Sequence, residues 1–423
     1  MTSVGAPIRS EGSDETKGRR GPRSLSEATP GRRLRVLEVS YSREVWGAEL
    51  AMMALAGPLA ERGVDVMLGS PPGGALESSW RGLDLPFLPL QFPRHLGIRS
   101  GASGSSSSAY QLAKELVVSA RCVRLVAAAA RGADVLYSNS LWAHLDCALA
   151  GRMSRRAVVL ELCDMVRPGP GRKVLTAAAR LSTSGVAISK AVADCVGPSA
   201  ADRVHLVPQA VDLGRFGPGR APEMRRRLTS DEQAPLVGIV GRIDPEKGVD
   251  VLVKAMALLQ GPAAAAHLVV VGTAGVGPRD FADLVRAEAE KLLGERVRFV
   301  GRSDDVPEVL KALDVLVNAS VAEPFGLSVL EAQATGVAVI GTLSGGIPEF
   351  VLDGDNGILV PSGDAKAMAG ALERLITDTE LRDRLSERGL ASASERGIAT
   401  RADSLAGILW DAARLHHGAG AST

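Results

Sequence analysis

The chain has 423 residues, of which 46% belong to the AVILMFWYC set and 23% are charged, and its formal net charge is +1. That is enough apolar material for two or three packed units of about 150 residues each, and too balanced a charge for a strongly basic nucleic-acid binder. Aromatics are only 3%, so Ala, Val and Leu must fill the core, and no stacking platform for single-stranded nucleic acid is expected.

Residues 1–33 are rich in Ser, Gly, Arg and Glu, lack periodicity, and read as a disordered tail. They hold no apolar h-region, so no secretory leader is expected, and no later run of about 18 apolar residues predicts a membrane span. The aliphatic run Leu34–Val39 predicts a strand. Helical spacing from Ala48 to Arg62 stops at Gly63, and Val64–Leu68 is again strand-like. The alternation continues with a helix near 110–131, a strand at Val135–Tyr137, a helix near 141–151 and a strand at Ala157–Leu162. The segment Gly97–Ser108, GIRSGASGSSSS, reads as a flexible loop of the lid or binding kind.

A second series starts near Pro235, with strands predicted at 237–240, 267–271, 297–300, 314–317 and 337–340. Helices are predicted at 248–260, 279–293, 306–312 and 327–335. Strand–helix alternation with short turns is the signature of a parallel sheet covered by helices. The fold class is therefore α/β, with two doubly wound Rossmann-like domains facing each other across a cleft. We divide the chain into a tail (1–33), a first domain (34–214), a second domain (215–401) and a last helix (402–416) expected to cross back to the first domain. The Gly- and Pro-containing segment 207–223 suits a hinge.

Charge is uneven: residues 34–214 carry 19 Lys/Arg against 15 Asp/Glu, and residues 215–423 carry 23 against 29. A basic first domain points to an anionic partner there. Cys122, Cys147, Cys163 and Cys195 form no CxxC pair and lie in or beside apolar segments. They read as small core residues in a reducing compartment, with neither a disulfide framework nor a zinc site expected.

Two segments carry chemistry. In VLVNASVAEPFGLSVLEAQATG, Glu323-Pro-Phe325-Gly326 is a turn into a helix predicted from Leu327. A helix N-terminus with free amides suits a diphosphate, and Glu323 and Glu331 flank that terminus with groups that accept sugar hydroxyls. In GRIDPEKG, Arg242 and Lys247 leave the carboxyl end of a strand in a tight loop and can neutralise a departing nucleoside diphosphate.

These residues, with the following GTLSGGIPEFVLDGDNGILV, resemble the retaining glycosyltransferases of family 4, which have the two-domain GT-B fold. The resemblance covers about residues 34–416. It implies that Glu323, in the place of the first Glu of the family's E-x7-E motif, contacts the transferred sugar, and that Glu331 binds the ribose hydroxyls. It implies that Arg242 and Lys247 grip the diphosphate, with amides near Phe325, Gly326 and Leu327 assisting. Gly301 and Arg302, in VRFVGRSDD, resemble the region that contacts the base. The donor is then a nucleotide-diphosphate sugar, the acceptor is unknown, and no metal or other cofactor is expected.

The first domain departs from the family in two places. Where the glycine loop usually reads GGAE, this chain has Trp46-Gly47-Ala48-Glu49; Gly47 can still bring its amide to a phosphate. Where many members have a His at the end of the strand equivalent to Ala157–Leu162, this chain has Cys163-Asp164. His144 is the nearest candidate by sequence, and a packed or solvated role is the commoner one for such a residue. Basic residues Arg152, Arg155, Arg156, Arg167, Arg172 and Lys173 would suit a phosphorylated or lipid-linked acceptor, with a small molecule an equal alternative. The expected location is the cytoplasm, with the inner membrane face as a variant. No HExxH, GxSxG or P-loop occurs, the GxxGxG spacing after Val271 is not a dinucleotide fingerprint, and Asp304-Asp305 reads as a helix cap. The rival functions are a non-catalytic sugar-nucleotide binder and a nucleotide-sugar epimerase.

Overall fold

The computed structural model describes residues 32–93, 95, 109–275 and 280–419. Nearly all of the expected tail, and the Gly97–Ser108 loop, lie outside the described residues.

Two parallel sheets form the framework. The first contains β1 (Leu34–Val39), β2 (Val64–Ser70), β3 (Phe87–Pro89), β4 (Val135–Ser138), β5 (Ala157–Leu162), β6 (Ser184–Ala187) and β7 (Val204–Leu206), in the order β3-β2-β1-β4-β5-β6-β7. The second contains β8 (Leu236–Val240), β9 (His267–Val271), β10 (Val297–Gly301), β11 (Val315–Val317), β12 (Ala338–Thr342) and β13 (Ile358–Val360), in the order β10-β9-β8-β11-β12-β13. All pairings are parallel. The aliphatic strands fit this burial on both faces: every residue of β4, β5, β11 and β12 is buried.

In each sheet the strand order reverses beside the first strand, between β1 and β4 and between β8 and β11. Loops leaving such neighbours diverge to opposite faces and open a crevice at the carboxyl edge. That places the segment after β1 (Ser40–Trp46), the loop after β8 (Gly241–Gly248) and the turn after β11 (Asn318–Gly326) at the two crevices. The second crevice carries Arg242, Lys247, Glu323, Phe325 and Gly326, and Gly47 follows the segment at the first.

The last helix, Ile398–Ala419, packs on the helix Gly47–Glu61 and on β5, so it returns to the first domain. It is tied there by Arg401, whose guanidinium donates to the Glu161 carboxylate and to the carbonyls of Val207 and Pro208. Val211 pairs with the returning segment: its N–H donates to Arg396 O at 3.0 Å and its carbonyl accepts from Ile398 N–H at 3.1 Å.

The observed elements differ from the predicted ones mainly where the pattern is short. Strands β3, β6, β7 and β13 carry three or four residues each, too few to show a period. The helix expected near 141–151 runs from His144 to Ser154, and the last helix is longer than predicted at both ends. Asp305 does precede the helix Val306–Ala312, but its side chain makes no capping bond; its N–H donates to Ser303 Oγ at 3.2 Å.

Candidate active site

The carboxyl ends of β8, β9 and β10 lie in a row, stitched by backbone bonds. Gly241 N–H donates to Val271 O at 2.9 Å, Ile243 N–H to Thr273 O at 2.8 Å, and Gly272 N–H to Gly301 O at 2.7 Å. Within the Gly241–Gly248 loop the organiser is Asp244, which is buried. Its Oδ1 accepts the amides of Glu246 and Lys247, each at 3.1 Å, and its Oδ2 accepts Arg242 Nε at 2.8 Å. An Asx-type turn thus sets the loop's shape and holds the Arg242 guanidinium by one edge. Gly301 and Arg302 end the row; Arg302 is exposed, with Asp304 at 3.9 Å.

Lys247 Nζ donates to Glu323 Oε2 at 2.7 Å. The same oxygen accepts Ser320 Oγ at 2.8 Å and Asn318 Nδ2 at 3.1 Å. Burial pushes the Glu323 carboxyl up, but Lys247 and the two neutral donors outweigh it and leave its pKa below the ordinary value. All three bonds converge on Oε2, and Oε1 accepts none among the described residues. Close approach of the two loops depends on Gly248, at φ 64°: a Cβ there would sit 2.1 Å from Ala319 O.

The helix Leu327–Ala334 follows Gly326, which adopts φ 102°. The amides of Leu327 and Ser328 have no acceptor among the described residues, as the first turn of a helix requires, so they present a positive end. The Phe325 side chain is buried and stacks on Phe350 at 4.9 Å between centroids. Its ring anchors the turn in the core, and only its backbone can face a ligand. Glu331 lies one turn on, half-buried, its carboxyl without a hydrogen-bond partner among the described residues. Burial raises its carboxyl to about 8, against the pull of Arg215.

The first domain supplies the opposite wall. Gly47 is exposed and opens the helix Gly47–Glu61, and Trp46 beside it is also exposed. Buried Glu49 accepts Trp46 N–H and Ser40 Oγ, both at 3.2 Å. Burial raises the pKa of Asp164, just past β5, with the charge of Arg242 opposing the rise and that of Glu246 adding to it. Burial, then the nearby carboxylates of Glu161 and Asp164, push the Cys163 thiol well above its ordinary pKa, so it is not a reactive thiolate. His144 is a core residue: it is buried, its Nδ1 lies 3.0 Å from Ser138 Oγ, and burial lowers its pKa to about 3.

The two domains touch directly. Ser189 Oγ donates to Pro324 O at 2.6 Å, and the Glu349 carboxylate accepts the amides of Lys190 and Ala191 at 2.8 and 2.9 Å.

The structure therefore brings Lys247, Glu323 and the 327–334 helix terminus together, with Arg242 on the same loop as Lys247. Four neighbours escaped the sequence reading: Asp244, Asn318, Ser320 and Arg215. For Asp244, Asn318 and Ser320 a signal existed, since each is a short polar residue within a strand-exit turn. For Arg215 there was none, because its relation to Glu331 is tertiary.

Comparison with known proteins bears on this arrangement. Residues 221–391 match the family model described as glycosyl transferases group 1. The chain is 38% identical over 221 residues to a D-inositol 3-phosphate glycosyltransferase of Stackebrandtia nassauensis, covering 50% of this chain and 49% of that protein. It is 38% identical over 174 residues to the lipopolysaccharide core biosynthesis glycosyltransferase LpsE of Rhizobium meliloti, covering 41% and 49%. These matches span about half the length of the curated relatives. Among solved structures, Anabaena HepE in complex with UDP and glucose superposes with a TM-score of 0.75 at 24% identity, over 88% of this chain and 98% of that one. Sucrose-phosphate synthase from Thermosynechococcus elongatus superposes with a TM-score of 0.69 at 20% identity, over 92% and 100%. At these identities the superpositions speak to the fold, which is GT-B. The glycosyl transferases group 1 match thus covers the second domain, residues 221–391, and the solved structures share the fold of the whole chain.

Proposed function

We propose that the chain is a retaining glycosyltransferase that moves a hexose-type sugar from a nucleotide-diphosphate sugar to an acceptor held by the first domain. The observation that carries this reading is the Lys247–Glu323 pair, at 2.7 Å, beside a helix terminus with free amides. Cation and amides favour a diphosphate there, and the carboxylate accepts a hydroxyl of the attached sugar.

In this reading Arg242, Lys247 and the amides near Phe325, Gly326 and Leu327 stabilise negative charge as the anomeric C–O bond breaks. Glu331 accepts the ribose hydroxyls, Gly301 and Arg302 border the base, and the Gly47 amide approaches a phosphate. The acceptor oxygen attacks on the face that the diphosphate leaves, and a diphosphate oxygen takes its proton. Configuration is retained, and the protein supplies the positive charge that a divalent ion would otherwise supply at the donor. Closure of the two domains excludes water that would hydrolyse the donor.

The acceptor is proposed to be phosphorylated or otherwise anionic. Arg152, Arg155, Arg167, Arg172 and Lys173 border two helices of the first domain, His144–Ser154 and Pro170–Leu181, which pack on each other. The inositol-phosphate enzymes among the relatives support the same class. No helix among the described residues is long and apolar enough to cross a membrane, and we place the enzyme in the cytoplasm, with a lipid-linked acceptor at the inner membrane face as the variant. Binding to anionic vesicles, lost when those arginines are neutralised, identifies that variant.

One observation favours a second reading. The chain has Cys163 where the resemblance to family 4 implies a His, and a sugar-nucleotide binder without transfer activity would tolerate that change. A thermal-shift screen of sugar nucleotides, followed by transfer assays with the donor that stabilises, separates the two. Binding with neither transfer nor donor hydrolysis rejects the transferase.

A further inference from the structure

A second polar cluster lies in the first domain, against Tyr41 of the segment after β1. His95 follows β3, Cys122 sits in the helix Ala109–Ala129, and Asp146 sits in the first turn of the helix His144–Ser154. His95 Nε2 is 3.2 Å from Asp146 Oδ2 and 3.6 Å from Cys122 Sγ. One potential ligand atom from each of the three lies within 4.8 Å of the others, and Cys122 and Asp146 are fully buried.

We infer that His95, Cys122 and Asp146 form a binding site for a thiophilic divalent metal ion, with Zn2+ as the ion that fits. Metal–ligand bonds of about 2.0–2.3 Å at tetrahedral angles put neighbouring ligand atoms about 3.3–3.7 Å apart. The two spacings measured at His95 Nε2 fall at or just below that range. The mixed S, N, O donor set is one that zinc accepts and that hard oxygen-seeking cations do not.

The surroundings are those that metal ligands require. Glu115 Oε1 lies 2.7 Å from His95 Nδ1, the ring nitrogen turned away from Asp146 and Cys122. A carboxylate on the outer nitrogen fixes the tautomer that leaves Nε2 as the ligand. Asp146 is itself oriented, accepting Tyr41 O–H at 2.8 Å and the Ser119 hydroxyl. The Tyr41 ring stacks on His95 with centroids 5.5 Å apart, which limits its rotation.

The ion takes the Cys122 side chain as thiolate and the His95 ring as neutral imidazole, so its binding releases the thiol proton and any proton held at Nε2. Its consequence is structural: it ties the segment at His95 to two helices of the acceptor-side domain. This stands independently of the glycosyl-transfer reading.

The test is a Co(II) titration of the purified full chain, carrying no polyhistidine tag, followed by displacement with Zn(II). The expected result is one Co(II) per chain with thiolate-to-cobalt charge-transfer absorption that Zn(II) abolishes. Cys122→Ser removes the absorption and Cys147→Ser keeps it. His95→Gln weakens affinity at least tenfold, and Glu115→Gln weakens it by about 10–100-fold. If Cys122→Ser does not fold, the wild-type spectrum and the His95→Gln titration still decide. Absence of charge-transfer absorption at saturating Co(II), or its persistence in Cys122→Ser, overturns the site and leaves these residues as a hydrogen-bonded cluster only.

Discussion

Lys247 and Glu323, 76 residues apart in the chain, meet at 2.7 Å where the loop after β8 faces the turn after β11. The contact ties the cationic loop to the terminus of the 327–334 helix, and it sits where the two halves of the second sheet diverge.

Replacing Lys247 with Ala leaves Glu323 buried beside two neutral donors and no cation. Loss of one preorganised charge of this kind costs about 100–1,000-fold in turnover. We expect kcat to fall by that order while the fold survives. Steady-state kinetics with the identified donor, and circular dichroism of the variant, check both statements.

Gly345→Ala should damage the site through the backbone. Gly345 has φ 58°, and a Cβ there would lie 1.8 Å from Glu323 O. The unfavourable φ alone costs about 1–3 kcal/mol, and the collision adds to it. Denaturant unfolding should show a loss above that range or a displaced Glu323 turn with weaker donor binding. Unchanged stability with unchanged binding contradicts the geometry.

Glu331 makes a pH prediction. Its carboxyl is raised to about 8 by burial, against an ordinary value of 4.5. The folded state therefore holds a proton that the unfolded state has released. The resulting stabilisation is full below about 4.5 and declines as pH rises through about 8. Glu331→Gln should flatten this part of the stability–pH curve. If the ionised carboxylate receives ribose hydroxyls, donor binding at pH 7 also releases a proton. Calorimetry in buffers of different ionisation enthalpy detects that release, which should vanish in Glu331→Gln.

Glu349 holds the domains together by accepting the amides of Lys190 and Ala191 at 2.8 and 2.9 Å. Its truncation to Ala removes both bonds from a short helix start, where such caps contribute about 0.5–2 kcal/mol. Ser189 still donates to Pro324 O, so the closed form is weakened and not abolished. Small-angle scattering should show a larger radius of gyration for Glu349→Ala, reversed by saturating donor.

Arg401 links the last helix to the first domain through Glu161 and two carbonyls, and both charged groups are buried. Removing one member of a buried pair costs about 3–5 kcal/mol. Arg401→Ala should lower the thermal midpoint by many degrees, whereas Asp403→Ala, which loses the exposed contact to Arg62, should barely move it.

The sequence by itself determined the α/β class and the row of strand-exit loops. Continuous aliphatic runs such as Ala157–Leu162 are what strands buried on both faces require, and Gly and Pro mark the turns between them. It also offered Lys247, Glu323 and Glu331 as candidates, because loop and helix-start chemistry is local, but the two Glu became site candidates only with the resemblance to family 4. Only the tertiary structure decided that His144 is a core residue, that the charge of Arg215 counters the burial of Glu331, and that His95, Cys122 and Asp146 converge. Such meetings depend on which helix faces pack together, and periodicity along one segment carries no record of the partner it will meet.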